Sequence, residues 1–168
     1  MTLEKSIAKL FKMSDKVWAR HANPWSVWTR YTTMPLLALS VWSRVWIGWW
    51  AVVPVIVALI WVYVNPRIFN KPKTTQSWTS KAVLGERVWL NRKNIPVPGH
   101  HYQIINILTA ISTIGAIICV YGLIVLSIWP TVFGIVVVFL GKTWFLDRMV
   151  WIYEEMKNNN PEYRSWLY

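Results

Sequence analysis

The fold is decided by residues 103–157, which read QIINILTAISTIGAIICVYGLIVLSIWPTVFGIVVVFLGKTWFLDRMVWIYEEMK. Residues 104–128 carry no charge, and about 25 residues at 1.5 Å each are enough for a helix to cross the roughly 30 Å hydrocarbon core of a bilayer. The apolar sequence continues over residues 131–140 and then becomes charged. This pattern predicts a transmembrane hairpin that turns at Trp129 and Pro130.

Four glycines are spaced for close packing within this hairpin. Gly115 and Gly122 lie in one predicted helix, and Gly134 and Gly141 lie at the same spacing in the other. Folding at the predicted turn would bring Gly122 near Gly134 and Gly115 near Gly141, where small residues let helix backbones approach closely. Glycine is also common in membrane helices without a packing role, so the spacing leaves both interpretations open.

The composition supports a membrane protein and argues against nucleic acid as a partner. Hydrophobic residues make up 55% of the chain, mean hydropathy is +0.32, and many of the 14 tryptophans fall where a span would meet the headgroups. The net charge is +11, but the basic residues flank apolar segments and form no nucleic-acid-binding motif. Anionic phospholipid is therefore the partner that the charge favours.

The apolar segment 34–64 fits either one long tilted span or two short ones. Basic residues crowd both of its ends, and a single span would leave one of these groups outside, against the positive-inside rule. The rule favours two short spans that turn near Gly48, with Arg44 reaching outward to the far surface. Just before this segment, Asn23 and Pro24 predict the start of a short interfacial helix.

The prediction is therefore an all-α membrane protein with four transmembrane helices in two hairpins, preceded by an N-terminal interfacial amphipathic helix. Its parts are a basic amphipathic interfacial segment (1–32), a first transmembrane hairpin (33–64), a cytoplasmic basic loop (65–102), a second transmembrane hairpin (103–152) and a cytoplasmic tail (153–168). Both termini are expected in the cytoplasm and the protein in the cell inner (plasma) membrane. Within the loop, residues 81–94 predict a short amphipathic helix with four apolar side chains toward the membrane: Val83, Leu84, Val88 and Trp89.

Four strings of the sequence together resemble a known family. They are HANPWSVWTR (21–30), NPRIF (65–69), GERVWLNR (85–92) and KTWFLDRMVWIYEEM (142–156). They are similar to a family of small Trp-rich prokaryotic integral membrane proteins, a domain of unknown function, and the resemblance covers residues 16–168. It implies a membrane location but no activity, so no functional residue is carried over from it.

Few side chains can carry chemistry, and the predicted topology gathers them at the cytoplasmic interface. A histidine with a carboxylate suits general acid–base catalysis, for which the candidates are His100, His101, Asp147 and Glu86. If the protein has a cofactor, the residue types favour a divalent metal, with His21, His100, His101 and Asp147 as its candidate ligands. Cationic side chains for a lipid headgroup are Arg30, Arg87, Lys142 and Arg148. The favoured alternative is that all three histidines are interfacial side chains bonded to headgroups or backbone.

Three kinds of function remain open. The first is a lipid-binding scaffold or accessory subunit, with a membrane-protein partner or a second copy of the chain; the sequence favours it because no GxSxG, phosphate-loop or CxxC motif occurs. The second is an interfacial enzyme that acts on a lipid-like substrate. The third is a small transporter around Arg44 and Lys142, which is disfavoured because two deep charges make no continuous polar path.

The orientation can be tested by thiol labelling of intact cells. A membrane-impermeant reagent applied from outside is expected to label a Trp129→Cys variant and to leave Lys73→Cys unlabelled, because the basic residues hold the loop inside. The native Cys119 lies mid-span and supplies the unlabelled background. The reverse labelling pattern would contradict this orientation.

Overall fold

The computed structural model describes residues 13–168 and contains helices but no strand within that range. The helices are α1 (Asp15–His21), α2 (Pro24–Arg30), α3 (Thr33–Trp42), α4 (Arg44–Ile47), α5 (Val52–Ile68), α6 (Trp78–Leu90), α7 (His100–Ile124), α8 (Ile128–Met156) and α9 (Pro161–Ser165), with a 3-10 turn over Gly48–Ala51. The start of the predicted amphipathic segment, residues 1–12, lies outside the described residues.

Three helical stretches are long and apolar enough to cross a membrane: residues 24–68, His100–Ile124 and Ile128–Met156. In their most apolar windows only 11%, 22% and 17% of the residues are buried, so these stretches turn most of their apolar side chains outward. Such a surface is stable in lipid and not in water. The all-helical fold is therefore confirmed for the described residues, with three candidate membrane-spanning stretches where the sequence predicted four spans.

The first stretch, residues 24–68, reverses direction at the predicted place. α3 packs along α5, and the Trp61 indole donates to Thr32 Oγ1 at 3.2 Å. The chain turns at Gly48, whose φ of 56° is a conformation that glycine adopts without steric cost. α3 has 10 residues, or about 15 Å of helix, which is half the thickness of the hydrocarbon core.

The second hairpin forms as predicted, but its turn lies earlier. α7 ends at Ile124 and α8 begins at Ile128, so Trp129 and Pro130 belong to the first turn of α8. Proline is tolerated there because the first N–H groups of a helix have no intrahelical acceptor. The residue in the turn with positive φ is Leu126, at 54°.

The close glycine packing is confirmed with a shifted set of partners. A Cβ placed on Gly134 would lie 2.4 Å from the backbone nitrogen of Cys119. Gly122 lies against Thr131, and Gly141 lies against Ser112. The predicted pairs, Gly122 with Gly134 and Gly115 with Gly141, were wrong because they were counted from Trp129 and Pro130 instead of from residues 125–127. Gly134 meets Gly115 instead, since a Cβ on Gly134 would also lie 2.6 Å from the Gly115 carbonyl oxygen.

At the other end of the hairpin, α6 covers the last turns of α8. The residues predicted to face the membrane (Val83, Leu84, Val88 and Trp89) are all buried inside the protein. The prediction was wrong because an apolar helix face does not reveal whether lipid or protein covers it. The resulting core consists of Leu84, Val88, Trp89, Val97, Ile105, Met149, Ile152, Tyr153, Met156 and Tyr163.

Gly85 sets how closely these two helices approach. A Cβ added there would lie 1.8 Å from the carbonyl oxygen of Met149, so only glycine permits the contact. The C-terminal residues pack against the same end of the molecule. Tyr153 donates its hydroxyl proton to the Tyr163 carbonyl at 3.0 Å, and the Thr75 N–H donates to the Tyr168 carbonyl at 2.9 Å.

Arg44 ties the two apolar units together at the far end of the molecule. Its guanidinium donates to the carbonyl of Leu123 and, at 3.0 Å, to that of Ile124. These are terminal carbonyls of α7, which lack intrahelical donors and attract a positive charge. The sequence predicted that Arg44 reaches outward; the structure shows instead that it caps a neighbouring helix.

The hairpin contact predicts the effect of one added carbon atom. Gly134→Ala is expected to lower the free energy of unfolding in detergent by about 1–3 kcal/mol, because the new methyl group meets backbone atoms that cannot move aside. Val136→Ile is the matched control: it adds one carbon at a side chain that is 47% exposed and should change little. Equal stability of Gly134→Ala and the wild type would rule out the close contact.

Candidate polar pocket and histidine cluster

A pocket of about 140 Å³ with one charged wall lies between α2, α3, α6 and α8. Its charged wall is formed by Arg30, Glu86 and Lys142, with His21 behind them. The remaining lining is mostly apolar and includes Val27, Met34, Val138 and Phe139. We refer to it as the Arg30 pocket.

The Lys142 side chain, which the sequence places deep along the last helix, is neutralised within the protein. Its ammonium lies 2.7 Å from Glu86 Oε1, and it also lies 4.6 Å from the centre of the Phe145 ring. α6 supplies the carboxylate because Glu86 directly follows Gly85, where α6 touches α8. An unpaired ammonium at this depth would cost at least a few kcal/mol, so the pair accounts for the position of the lysine.

Arg30 differs from Lys142 in having no such partner. Its guanidinium is partly buried at the end of α2, and among residues 13–168 it makes no hydrogen bond or ion pair. Glu86 attracts it electrostatically but is already bonded to Lys142. The pocket therefore holds two cations and one carboxylate, and one positive charge is left unneutralised.

His21 belongs to a buried hydrogen-bond chain behind this wall. Its Nδ1 lies 2.8 Å from Ser26 Oγ, and that hydroxyl donates to Asn65 Oδ1 at 3.2 Å. Asn65 in turn donates to Thr29 Oγ1 at 2.8 Å. Because the serine proton is used toward Asn65, this network assigns the Nδ1–H tautomer to His21. Burial, and then the nearby charges of Arg30 and Lys142, hold the pKa of His21 well below its ordinary value.

A second cluster lies at the end of the hairpin where α7 begins and α8 ends. His100 Nε2 lies 3.4 Å from Glu155 Oε1, and His101 Nε2 lies 3.2 Å from Glu155 Oε2. The two imidazole centres are 4.1 Å apart. The three residues offer ligand atoms that all lie within 4.8 Å of one another. We call this the His100–His101–Glu155 cluster.

The structure distributes the predicted catalytic and metal residues over several places. His100 and His101 come together as expected, but the carboxylate that meets them is Glu155. Asp147 accepts instead a hydrogen bond of 3.0 Å from the Trp78 indole, while Glu86 and His21 belong to the Arg30 pocket. Asp147 precedes Glu155 by eight residues, or about 12 Å along α8, so one histidine pair cannot reach both.

The hairpin register was the signal that could have identified Glu155. With Gly134 opposite Cys119 and Gly141 opposite Ser112, the same antiparallel count places His101 opposite Ile152. Glu155 is three residues further on, within one helical turn. Residue type alone could not separate Glu155 from the other acids at this end of the chain.

The four predicted headgroup cations also separate. Arg30 and Lys142 lie together in the Arg30 pocket. Arg87 is held by Asp15 and lies 3.9 Å above the Trp166 ring, and Arg148 lies 5.4 Å from the centre of the Trp151 ring. Only the first two therefore converge on a shared cavity.

Comparison with known proteins gives a family and no activity. A model of a family of unknown function (DUF6653) matches residues 2–166. No curated protein and no solved structure matches the chain. The chemistry of the pocket and of the cluster therefore has to be inferred from their geometry.

The buried His21 predicts a specific pH dependence of stability. The folded protein holds this ring neutral, whereas the unfolded chain protonates it near pH 6.5. The contribution of His21 to the free energy of unfolding is therefore fully present above about pH 6.5. Below that pH it falls by about 1.4 kcal/mol per pH unit. Thermal unfolding in detergent should show a smaller loss between pH 7 and pH 5 for His21→Asn than for the wild type. Identical slopes would contradict a neutral, buried His21.

Proposed function

The chain belongs to the family of unknown function DUF6653, and we propose from the Arg30 pocket that it is a multi-pass membrane protein that binds the headgroup of an anionic phospholipid. The observation that carries this proposal is the guanidinium of Arg30, which has no partner among residues 13–168 and lies in a pocket that already contains a complete ion pair.

The charge balance of the pocket favours a phosphate group. Lys142 and Glu86 neutralise each other at 2.7 Å, which leaves Arg30 with its planar set of N–H donors. Arginine binds phosphate oxygens in a bidentate manner, and such charge-assisted bonds are about twice as strong as neutral ones. A phosphodiester carries one negative charge and would neutralise the pocket.

The depth of the pocket fits the headgroup of a lipid molecule. Lys142 lies 14 residues after the first residue of α8, or about 21 Å along the helix, which is within reach of the second boundary of a core of roughly 30 Å. The apolar lining of Val27, Met34, Val138 and Phe139 would contact the glycerol and the first acyl carbons.

The orientation follows from the distribution of charge. Arg44 is the one charged residue in the two far turns, 43–51 and 125–127, whereas the remaining charges flank the apolar segments at the opposite end. We therefore assign the opposite end to the cytoplasm, with both termini inside and with α3 and α5 acting as two short spans, which gives four spans in all. The inner (plasma) membrane supplies anionic lipid at that surface.

A bound headgroup would connect parts of the chain that are distant in sequence. The pocket joins α2 and α3 of the first unit to α8 of the second, with α6 between them. A phosphate that bonds Arg30 and lies beside Lys142 would fasten the two units together. This is the action of a lipid-stabilised scaffold or accessory subunit, whose outward apolar surface remains available to a membrane partner or a second copy.

The proposal predicts a selective loss of anionic lipid. In native mass spectrometry of the detergent-purified protein, Arg30→Gln should retain phosphatidylglycerol roughly 10-fold to 100-fold more weakly than the wild type, as expected for the loss of a charge-assisted hydrogen bond. Retention of phosphatidylcholine should be low in both proteins.

The matched control is Arg164→Gln, which removes the same charge at an exposed position in α9. This variant should retain phosphatidylglycerol as the wild type does. If both substitutions weaken retention equally, the lipid responds to net charge and the pocket is not its site.

A further inference from the structure

Beyond the lipid pocket, we infer that the His100–His101–Glu155 cluster is a binding site for a divalent transition metal, with Zn²⁺ as the ion that its ligands fit best. The inference uses none of the residues that carry the lipid proposal. It rests on the ligand set, the spacing of the ligand atoms and the difference in exposure between the two histidines.

The ligand set is the first argument. Imidazole nitrogen and carboxylate oxygen are both common zinc ligands. Two histidines with one glutamate form a known three-ligand zinc arrangement. Calcium and magnesium prefer oxygen ligands alone. The single cysteine of the chain, Cys119, lies buried five residues before the end of α7 and takes no part.

The spacing of the ligand atoms is the second argument. Tetrahedral zinc with bonds of about 2.0–2.1 Å separates neighbouring ligand atoms by about 3.3 Å. In the cluster, His100 Nε2 lies 3.4 Å from Glu155 Oε1, and His101 Nε2 lies 3.2 Å from Oε2, the other oxygen of the same carboxylate. One donor atom from each residue lies within 4.8 Å of the other two, so side-chain rotations would bring the three donors to one ion while both helices stay in place.

The rigid position of His101 is the third argument. Its side chain is fully buried, and its Nδ1 makes no hydrogen bond among the described residues. Packing therefore fixes the ring, and its one polar contact is through Nε2, the atom that faces Glu155. Because the two residues lie at the start of α7 and in the last turn of α8, the helices hold this pair in place.

The remaining coordination position would be open to water. His100 is 59% exposed and Glu155 is 38% exposed, in contrast to His101. Three protein ligands and an accessible fourth position are the arrangement of catalytic zinc sites, whereas structural sites close all four positions with protein atoms. A water molecule or a small anion could therefore reach an ion bound in the cluster from the aqueous side.

Metal binding by the full-length chain in detergent tests this inference. The protein carries a tag without histidines, is stripped with chelator and is titrated with ZnCl₂ by calorimetry, with the bound metal counted by elemental analysis. The wild type should bind one Zn²⁺ per chain. His100→Ala and Glu155→Gln should each lower the affinity by at least about tenfold, since even the loss of an outer partner of a metal ligand costs that much.

The variants are chosen so that folding is preserved. His100 and Glu155 are partly exposed, so their substitution leaves no buried cavity, whereas loss of the buried His101 would. Glu162→Gln is the control: it neutralises an acid that is 60% exposed in α9 and should bind zinc normally. Arg30→Gln should also bind zinc normally, so failure of one proposal does not imply failure of the other.

Two results would overturn the metal site. One is a wild-type protein that binds no stoichiometric zinc after stripping and reloading. The other is zinc binding that survives unchanged in either His100→Ala or Glu155→Gln, because the ion would then lie elsewhere. Zinc X-ray absorption on the loaded wild type should show two imidazole ligands, and a spectrum without them would count against the cluster.

Discussion

The contact between the backbones of Gly85 and Met149 is the constraint on which the functional end of the molecule depends. It seats α6 against α8 more closely than any side chain would permit. Leu84 and Val88, on either side of the contact, then join the core with Met149. Glu86, the next residue, reaches Lys142, so the packing contact also determines which cation of the pocket is neutralised.

The length of α8 explains why chemistry gathers at this end. The helix has 29 residues, or about 43 Å, which exceeds the roughly 30 Å hydrocarbon core of a bilayer. Its last turns leave the lipid and need another cover, which α6 and the C-terminal residues supply. The His100–His101–Glu155 cluster lies on these last turns, and the Arg30 pocket lies against the turns just before them.

Much of the membrane part could be predicted from the sequence, because the bilayer sets both the length of an apolar span and the side on which most charges lie. The second hairpin, the reversal near Gly48, the start of α2 at Asn23 and Pro24, and the close glycine packing were all correct. The position of the second turn was wrong, since proline is compatible with both a turn and the first turn of a helix. That error also shifted the glycine partners.

The functional end was harder to predict. The amphipathic pattern of residues 81–94 identifies a helix with one apolar face, but the same face can meet lipid or protein, and here it meets α8. Glu155 was overlooked for a related reason: several acids lie near the end of the chain, and only the register of the hairpin shows which one meets the histidines. Long-range contacts of this kind are not encoded in local periodicity.

Hydrogen exchange of a Gly85→Ala variant, measured by mass spectrometry in detergent, tests whether the contact between Gly85 and Met149 holds α6 against α8. Alanine raises helix propensity by about 1 kcal/mol, so an isolated or membrane-lying helix over residues 78–90 would exchange more slowly in the variant. The close contact with Met149 predicts the opposite: faster exchange in residues 78–90, while His100–Ile124 keeps its protection. Unchanged or slower exchange in residues 78–90 would contradict the account.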